Sequence, residues 1–400
     1  MHLMTYINKN GFVKALEVGG ARVFGFVIII YSVLFISVFG GIIELGKFSA
    51  VGAILAPLTM FVTFRYIELI GVSKNREKTF TDLITSAFFV YAPFSVIIGA
   101  WIAYYGSNDI RLHDYALMAI YKFIELFGDV LAVVLIQSER GMVATKIALY
   151  KMSSVVVLSG VLYFVFGVHA LNSVYISFVI GFAAVFILVE MPLCKKHGVM
   201  SFTGLADVCK FIQSHYGLGF FNSLMSLNSV MPRYYILYFG DLRILGIFSL
   251  IYQISSVSVN FIEYAAGIYV KKTSEMFVAK PFIVKLIYLS CVASFLFVLI
   301  GSMLGNNYWL FRFLMFVIAM FVVLFWRGIS VVVCLGLGVN INYAVIMIIS
   351  MVVGCVSIGV LEYFSASINS LLFAVFYVLV ASSVFGFILF NKANREILGG

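Results

Sequence analysis

The sequence predicts an all-α polytopic membrane protein of about twelve transmembrane helices, forming two six-helix lobes related by a pseudo-two-fold axis along the membrane normal. The composition is 63% hydrophobic and 11% charged, whereas soluble domains carry about 25% charged residues. Apolar runs of about 20 residues, the length that crosses a bilayer, follow one another through the chain. The longest connection on the inner side, residues 193–210, leaves six runs before it and six after it. We therefore expect lobes at 1–192 and 211–400, with a cytoplasmic linker between them.

The apolar runs fix the positions of the twelve expected spans. The first run is too long for a signal peptide and has no small-residue cleavage site, so it is expected to be a retained anchor. Prolines in or beside these runs are compatible with helices in a packed membrane bundle. The spans are expected at about 23–43, 48–68, 80–105, 115–136, 148–168, 173–192, 211–231, 245–270, 282–304, 310–335, 343–361 and 370–390.

The distribution of Lys and Arg over the loops predicts the orientation. Twenty of these residues fall on one side of the expected spans and five on the other, and Lys122 lies inside a span. Basic loops stay in the cytoplasm, so both termini are expected there. The net charge of +9 therefore indicates membrane topology rather than a nucleic-acid partner. Lys151 is counted on the inner side, and the outer five are Lys47, Arg111, Arg233, Arg243 and Arg312.

The fourth span, "AIYKFIELFGDVLAVVLIQ" (119–137), carries three ionisable residues within eight positions. Lys122, Glu125 and Asp129 are spaced i, i+3 and i+7, so they share one face of a helix. A charge at the bilayer centre costs about 2.5–3.5 kcal/mol, so this face must contact protein or water. Lys122 is expected to pair with Glu125. The face is either an ion-pair network that fixes helix packing or, as we favour, the polar lining of a substrate or ion path.

Further charged residues lie within the expected spans. Arg327, in "FWRGIS" of span ten, cannot lose its charge and needs an anion, which is either a protein carboxylate or a ligand phosphate. Arg65 and Glu68 lie near the inner end of span two and are either path residues or an interfacial snorkelling pair. Glu263 is expected at the corresponding depth of span eight.

Span seven, "FIQSHYGLGFFNSLMSLNSV" (211–230), is unusually polar. His215, Asn222, Ser226 and Ser229 recur at helical spacing and form one polar stripe. Such a stripe either borders a water-filled path or supplies hydrogen bonds between closely packed helices.

No enzyme signature is found in the sequence. It has no phosphate-binding loop, no GxSxG, no HExxH and no Asp-rich metal cluster. The five cysteines are scattered without paired spacing, which is typical of small buried apolar residues. We therefore expect no catalytic residues, no metal and no cofactor.

The stretch "NSLMSLNSVMPRYYILYFGDLRILGIFSLIYQISS" (222–256) resembles the start of the second half of Wzx-type O-antigen flippases. These flippases belong to the multidrug/oligosaccharidyl-lipid/polysaccharide exporter superfamily. The similar features are a polar seventh span, an outer arginine followed by aromatic residues, and an acidic outer turn before span eight. The stretch "ELGKFSAVGAILAPL" (44–58) looks like its counterpart in the first half. The likeness covers the whole architecture, but no functional residue can be transferred by motif.

The resemblance implies a flippase of the bacterial inner membrane. Its substrate would be an oligosaccharide repeat unit on polyprenyl diphosphate, moved from the cytoplasmic to the periplasmic leaflet by alternating access with a coupling H⁺ or Na⁺. Implied partners are the lipid bilayer, an O-antigen polymerase and a chain-length regulator. Charge and depth select Lys122, Arg327, Arg65, His215 and Asn222 for the substrate path, and Glu125, Asp129 and Glu263 for ion coupling.

Two other function classes remain open at this stage. An O-antigen polymerase has similar length and hydrophobicity, but polymerases of that type carry a large outer loop with arginines, and every outer loop expected here is short. A multidrug exporter of the same superfamily is the second alternative, since a fold does not determine the cargo.

Overall fold

The computed structural model describes residues 9–63, 76–105, 110–138, 140–196, 204–268, 281–303, 309–336, 343–364 and 370–398. Every regular element in these ranges is helical. Twelve helical segments, each long enough to correspond to one expected span, follow one another through the described ranges. The predicted fold class, an all-α bundle of about twelve helices, is confirmed.

Contacts between residues divide the chain into two compact units, Met1–Ser226 and Leu227–Gly400. The first unit begins with α1 (Lys9–Phe35), α2 (Ile42–Val62) and α3 (Arg76–Tyr105), followed by α4 (Leu112–Gln137) and α5 (Gly141–Phe164). Helix α6 (Ala170–Val185) continues through a π-helical turn, Phe186–Glu190, into Met191–Lys196. A second π-helical turn, Ile36–Gly40, ends α1.

The boundary between the units falls inside the long helix α7 (Leu205–Phe239). The second unit continues with α8 (Leu242–Ile268), α9 (Pro281–Met303), α10 (Trp309–Gly336), α11 (Tyr343–Phe364) and α12 (Ser370–Leu398). Asp241 begins α8 as an N-cap, since its Oδ1 accepts a hydrogen bond from the amide of Ile244 at 2.7 Å.

Length and composition explain why these segments are helices. In a bilayer each backbone polar group needs a partner within the protein, and a helix supplies all of them within one segment. In the described part of the chain seven helices are long and apolar enough to cross a membrane. The charges of α4 keep it outside that set. The seven are Val23–Gly40, Ile42–Val62, Lys78–Tyr104, Gly141–Phe164, Ala170–Cys194, Leu310–Gly328 and Ser370–Leu389.

Helix α4 is central to the packing of the first unit. It contacts α2, α3, α5 and α6, and α1 packs along α5. Phe127 of α4 makes edge-on contacts with Phe80 and Phe186, with ring centroids 5.4 and 4.7 Å away. The hydroxyls of Tyr31 and Ser159 are 2.7 Å apart and join α1 to α5. The charged face of α4 thus belongs to a helix that packs against four others of the first unit.

Helix α10 has the corresponding role in the second unit, where it packs against α8, α9 and α12. Trp326 of α10 and Tyr377 of α12 are almost completely buried. The Tyr377 hydroxyl donates to Oδ1 of Asn228 at 2.8 Å, and Nδ2 of Asn228 contacts the sulfur of Met347 at 3.0 Å. These bonds attach the end of α7 to α11 and α12.

Candidate functional site

The charged face of α4 contains an ion pair held by a tyrosine. Nζ of Lys122 lies 2.5 Å from Oε2 of Glu125, and the Tyr121 hydroxyl donates to the other carboxylate oxygen. The Lys122 and Glu125 side chains are 25% and 22% exposed, and Asp129 is exposed. The i, i+3 spacing therefore gives the expected pair, and the charge of Lys122 is largely balanced within its own helix.

A second, more deeply buried ion pair lies behind this face. Nζ of Lys151 on α5 is 2.7 Å from Oε1 of Glu190 in the π-helical turn of α6, with side-chain exposures of 8% and 0%. The ammonium also lies 5.0 Å from the ring centroid of Phe182. The count of basic residues assigned Lys151 to the inner side of the membrane. The structure corrects its environment, because this side chain is enclosed in the helix bundle rather than placed among loop charges.

Gly128 makes room for the buried pair. A methyl group there would collide with Nζ of Lys151 and would lie 2.8 Å from Oε1 of Glu190. Among the described residues, none forms a hydrogen bond of good geometry with either carboxylate oxygen of Glu190. The short contact between Lys151 and Glu190 is therefore mainly an electrostatic attraction. Sequence reasoning missed this pair. The available signals were Glu190 within the apolar run of span six, "FILVEMPL", and Lys151 within span five.

The polar stripe of α7 makes contacts inside the first unit. Nδ2 of Asn222 donates to Oγ1 of Thr63, at the end of α2, over 2.9 Å. Nδ1 of His215 lies 2.9 Å from the carbonyl oxygen of Phe211, and its ring lies 4.4 Å from the Phe211 ring. The Asn222 amide therefore joins α7 to the end of α2.

Arg327 is a partly buried cation in the second unit. Its guanidinium carbon lies 5.5 Å from the ring centroid of Phe385 on α12. No carboxylate of the described residues forms an ion pair with it. Among the side chains that the structure describes in this unit, the only carboxylate is that of Asp241, which is exposed and caps α8. The described part of the second unit therefore presents net positive charge within its helices.

Two predicted site residues, Arg65 and Glu263, have side chains outside the described part of the structure. Arg65 lies outside the described residues. Glu263 lies on α8, but its side chain is likewise outside them. In the part of the chain that the structure describes, no group of three His, Cys, Asp or Glu side chains has the arrangement of a metal site.

Among the described side chains, the two units differ in the neighbours of their buried and half-buried cations. In the first, three described lysines that are buried or half-buried, Lys47, Lys122 and Lys151, each pair with a glutamate. In the second, the neighbour of Arg327 among the described side chains is aromatic and not acidic. A cation–π contact contributes about 0.5–2 kcal/mol, which is less than the several kcal/mol lost on removing an ion from water.

Solved structures with the same fold are MATE transporters. The eukaryotic MATE transporter AtDTX14 is 12% identical, covers 97% of this chain and 98% of its own, and has a TM-score of 0.58. A multidrug resistance MATE transporter of the MOP superfamily in its outward-facing conformation is also 12% identical, with 97% and 95% coverage and a TM-score of 0.58. A MOP superfamily transporter from Pyrococcus furiosus, described as having a binding pocket of reverse polarity, is 13% identical with a TM-score of 0.54 and 97% and 95% coverage.

No protein-family model and no curated protein sequence matches the chain. At 12–13% identity the structural likeness establishes the fold alone. The chain therefore has the two-lobed helical fold of the MATE transporters, a fold of multi-pass membrane proteins.

Proposed function

We propose that this protein is a flippase that moves polyprenyl-diphosphate-linked oligosaccharide repeat units from the cytoplasmic to the periplasmic leaflet of a bacterial inner membrane. The shared fold supports a transporter, and the resemblance to Wzx-type flippases supports this substrate class. The isoprenoid tail would remain in lipid, while the sugars and the diphosphate cross by alternating access.

The environment of Arg327 in the second unit is the observation that most supports the proposal. Arg327 lies within the apolar helix α10 and has no carboxylate partner among the described side chains. A guanidinium stays charged and has the planar fork that matches phosphate oxygens. A dianionic head group would supply the missing counter-charge, whereas a cationic drug would be repelled. Arg327 therefore favours an anionic substrate.

The α4 face is proposed as part of the same path. The pair of Lys122 and Glu125 would border the sugars, and Asp129 or Glu125 would take up a coupling H⁺ or Na⁺. Arg65, His215 and Asn222 are kept as further path residues and Glu263 as a further coupling residue. An O-antigen polymerase and a chain-length regulator are the proposed partners.

A multidrug exporter is the second candidate. It is favoured by the fold, since one structure that shares it is described as a multidrug resistance transporter. That function would need acidic residues for cationic drugs, and the described glutamates Glu44, Glu125 and Glu190 of the first unit are each paired with a lysine. An exporter for anionic drugs would agree with Arg327 as well as a flippase does.

Deletion of the gene distinguishes these functions. Loss of a flippase leaves repeat units on the cytoplasmic side, so lipopolysaccharide gels of the deletion strain should show bare core without a single-repeat band. A plasmid copy should restore the ladder. A single-repeat band in the deletion strain would instead identify a polymerase. An unchanged ladder together with increased drug sensitivity would identify a multidrug exporter.

A pair of arginine variants in the complemented strain tests whether Arg327 is needed for transport. Arg327→Met should abolish the ladder, because it removes the proposed counter-charge of the diphosphate. Arg312→Met is a matched control on the same helix, since Arg312 also lies over a phenylalanine, 5.6 Å from the Phe316 ring centroid. It should leave the ladder intact. Equal loss with both variants, at equal protein levels, would argue against a specific role of Arg327.

A further inference from the structure

Arg233 is a second arginine of the second unit, and the proposed path does not use it. It follows Pro232 near the end of α7, and its guanidinium carbon lies 5.2 Å from the ring centroid of Tyr252 on α8. Its Nε is buried and has no hydrogen-bond partner among the described residues. Asp241, the described carboxylate of this unit, caps α8 instead of pairing with it. Arg233 is therefore a partly buried cation with an aromatic neighbour.

Arg233 lies near one end of α7, and its aromatic neighbour Tyr252 lies further along α8. Arg233 lies six residues before the end of α7, about 9 Å at 1.5 Å per residue, and Tyr252 lies ten residues after the start of α8, about 15 Å. The two helices meet at a short turn, so Tyr252 is deeper in the bundle. Arginines near a helix end in a membrane usually extend towards the water. Arg233 is instead half-buried, with its guanidinium against the ring of Tyr252.

Arg233 and Arg327 lie at different depths of the same unit. The end of α7 and the start of α10 face the same side, because two crossings, α8 and α9, lie between them. Arg327 lies eighteen residues after the start of α10, which is about 27 Å. The two Cα positions therefore differ in depth by about 18 Å. One phosphate group cannot contact both arginines at once, but a moving phosphate can meet them in succession.

We propose that Arg233, held over Tyr252, is a second phosphate-binding position, which holds the diphosphate of the substrate nearer the outer end of the second unit than Arg327 does. This rests on the proposed function, which supplies the diphosphate. Tyr252 contacts the guanidinium on one side, Nε is enclosed by the protein, and the terminal nitrogens would donate to the phosphate oxygens. Lysine would keep the charge but lose the fork.

Binding of farnesyl diphosphate to the purified full-length protein in lipid nanodiscs tests the proposal. Isothermal titration would compare farnesyl diphosphate with inorganic pyrophosphate and with farnesol. Arg233→Gln should weaken farnesyl diphosphate binding at least tenfold, and Arg233→Lys should weaken it to a smaller extent. Farnesol binding should not change. Pyrophosphate should show the same order of variants, because the contact is to phosphate and not to the isoprenoid chain.

Arg243→Gln is the matched control. Arg243 is exposed on the first turn of α8 and carries the same charge at the same end of the unit. It should bind farnesyl diphosphate like the wild type. Equal weakening by Arg243→Gln would reduce the effect to general electrostatic attraction and overturn the proposal. So would unchanged binding by Arg233→Gln, or an absence of binding by the wild type. If Arg233→Gln is not monodisperse, Arg233→Lys and Tyr252→Leu provide the comparison.

The gene deletion separates this inference from the proposed function. A bare-core phenotype together with wild-type binding by Arg233→Gln would retain the flippase and reject the Arg233 position. A single-repeat band or an unchanged ladder would reject the flippase whatever Arg233 binds, and the Arg233 position would fall with it.

Discussion

Nζ of Lys151 lies 2.7 Å from the carboxylate of Glu190, and this contact joins α5 to the π-helical turn of α6. Gly128 of α4 closes the third side of the pair. Three helices of the first unit therefore meet at one buried pair of opposite charges. π-Helical turns are rare and occur frequently at functional positions, and this one ends at Glu190.

Replacing only one residue of this pair should destabilise the protein more than replacing both. Lys151→Met leaves a fully buried carboxylate without a counter-charge, which costs about 3–5 kcal/mol. The double variant Lys151→Met/Glu190→Leu removes both charges and should recover most of that loss, since apolar residues often replace a buried pair without cost. Thermal unfolding of the purified protein in detergent, followed by size-exclusion fluorescence, measures the order of the variants.

The pair of Lys47 and Glu44 provides the control in the same unit. Its atoms are 3.0 Å apart, but both side chains are 19% exposed. Pairs of this kind contribute at most about 1 kcal/mol, so Lys47→Met should change the unfolding midpoint only slightly. If Lys151→Met shifted the midpoint no more than Lys47→Met does, the structural importance of the buried pair would be refuted.

Gly128 should tolerate no side chain while the pair is present. Gly128→Ala pushes a methyl group into Lys151 and Glu190, and overpacking of this kind costs about 1–3 kcal/mol. Gly160 of α5 is the matched control, because a Cβ there would meet no atom within 4 Å. Gly160→Ala should be neutral or stabilising, since alanine is the better helix former.

A double-mutant cycle shows whether the effect of Gly128→Ala passes through the pair. In the Lys151→Met/Glu190→Leu background the penalty of Gly128→Ala should change by at least about 0.5 kcal/mol, as expected for residues in contact. Strict additivity of the unfolding midpoints would mean that Gly128 acts through a different neighbour.

The orientation of the chain is a prediction that thiol labelling checks. Cysteines introduced near residues 75, 200 and 275, or at Ser138 between α4 and α5, should resist a membrane-impermeant reagent in intact cells. Cysteines at Asn108 and Asn306 should react. The native cysteines must first be replaced, because Cys209 and Cys355 are exposed. Labelling at 75 or 275 from outside would reverse the predicted topology.

The number and order of the helices follow from the sequence because hydropathy is a strong signal over about 20 residues. The pair of Lys122 and Glu125 also follows, since both residues lie on one helix and helical spacing fixes their separation. Helix ends are less well determined. Span five was expected to begin at about residue 148, but α5 already begins at Gly141, and its Thr145 packs against Gly20 of α1.

Contacts between helices could not be predicted in this way. Lys151 and Glu190 are separated by 39 positions, and their meeting depends on how α5 and α6 pack beside Gly128. Likewise, the sequence predicts an anion beside Arg327, but it gives no sign of the neighbour that the structure shows, Phe385 on α12. Pairing across helices depends on rotation and depth, which a single sequence does not encode locally.

The face of α4 gives the last prediction. If Lys122 and Glu125 only neutralise each other, Lys122→Leu/Glu125→Met should preserve transport, because a buried ion pair is often replaceable by apolar residues. If they border the path, this double variant should reach the membrane at wild-type levels and yet fail to restore the lipopolysaccharide ladder. We expect the second outcome, because both side chains are about one quarter exposed and the Tyr121 hydroxyl holds the carboxylate in place. Asp129→Asn removes a titratable charge while keeping the side-chain shape, so it should lower transport without lowering the unfolding midpoint. Normal ladders from both variants would refute a path along this face, while leaving the role proposed for Arg327 to its own test.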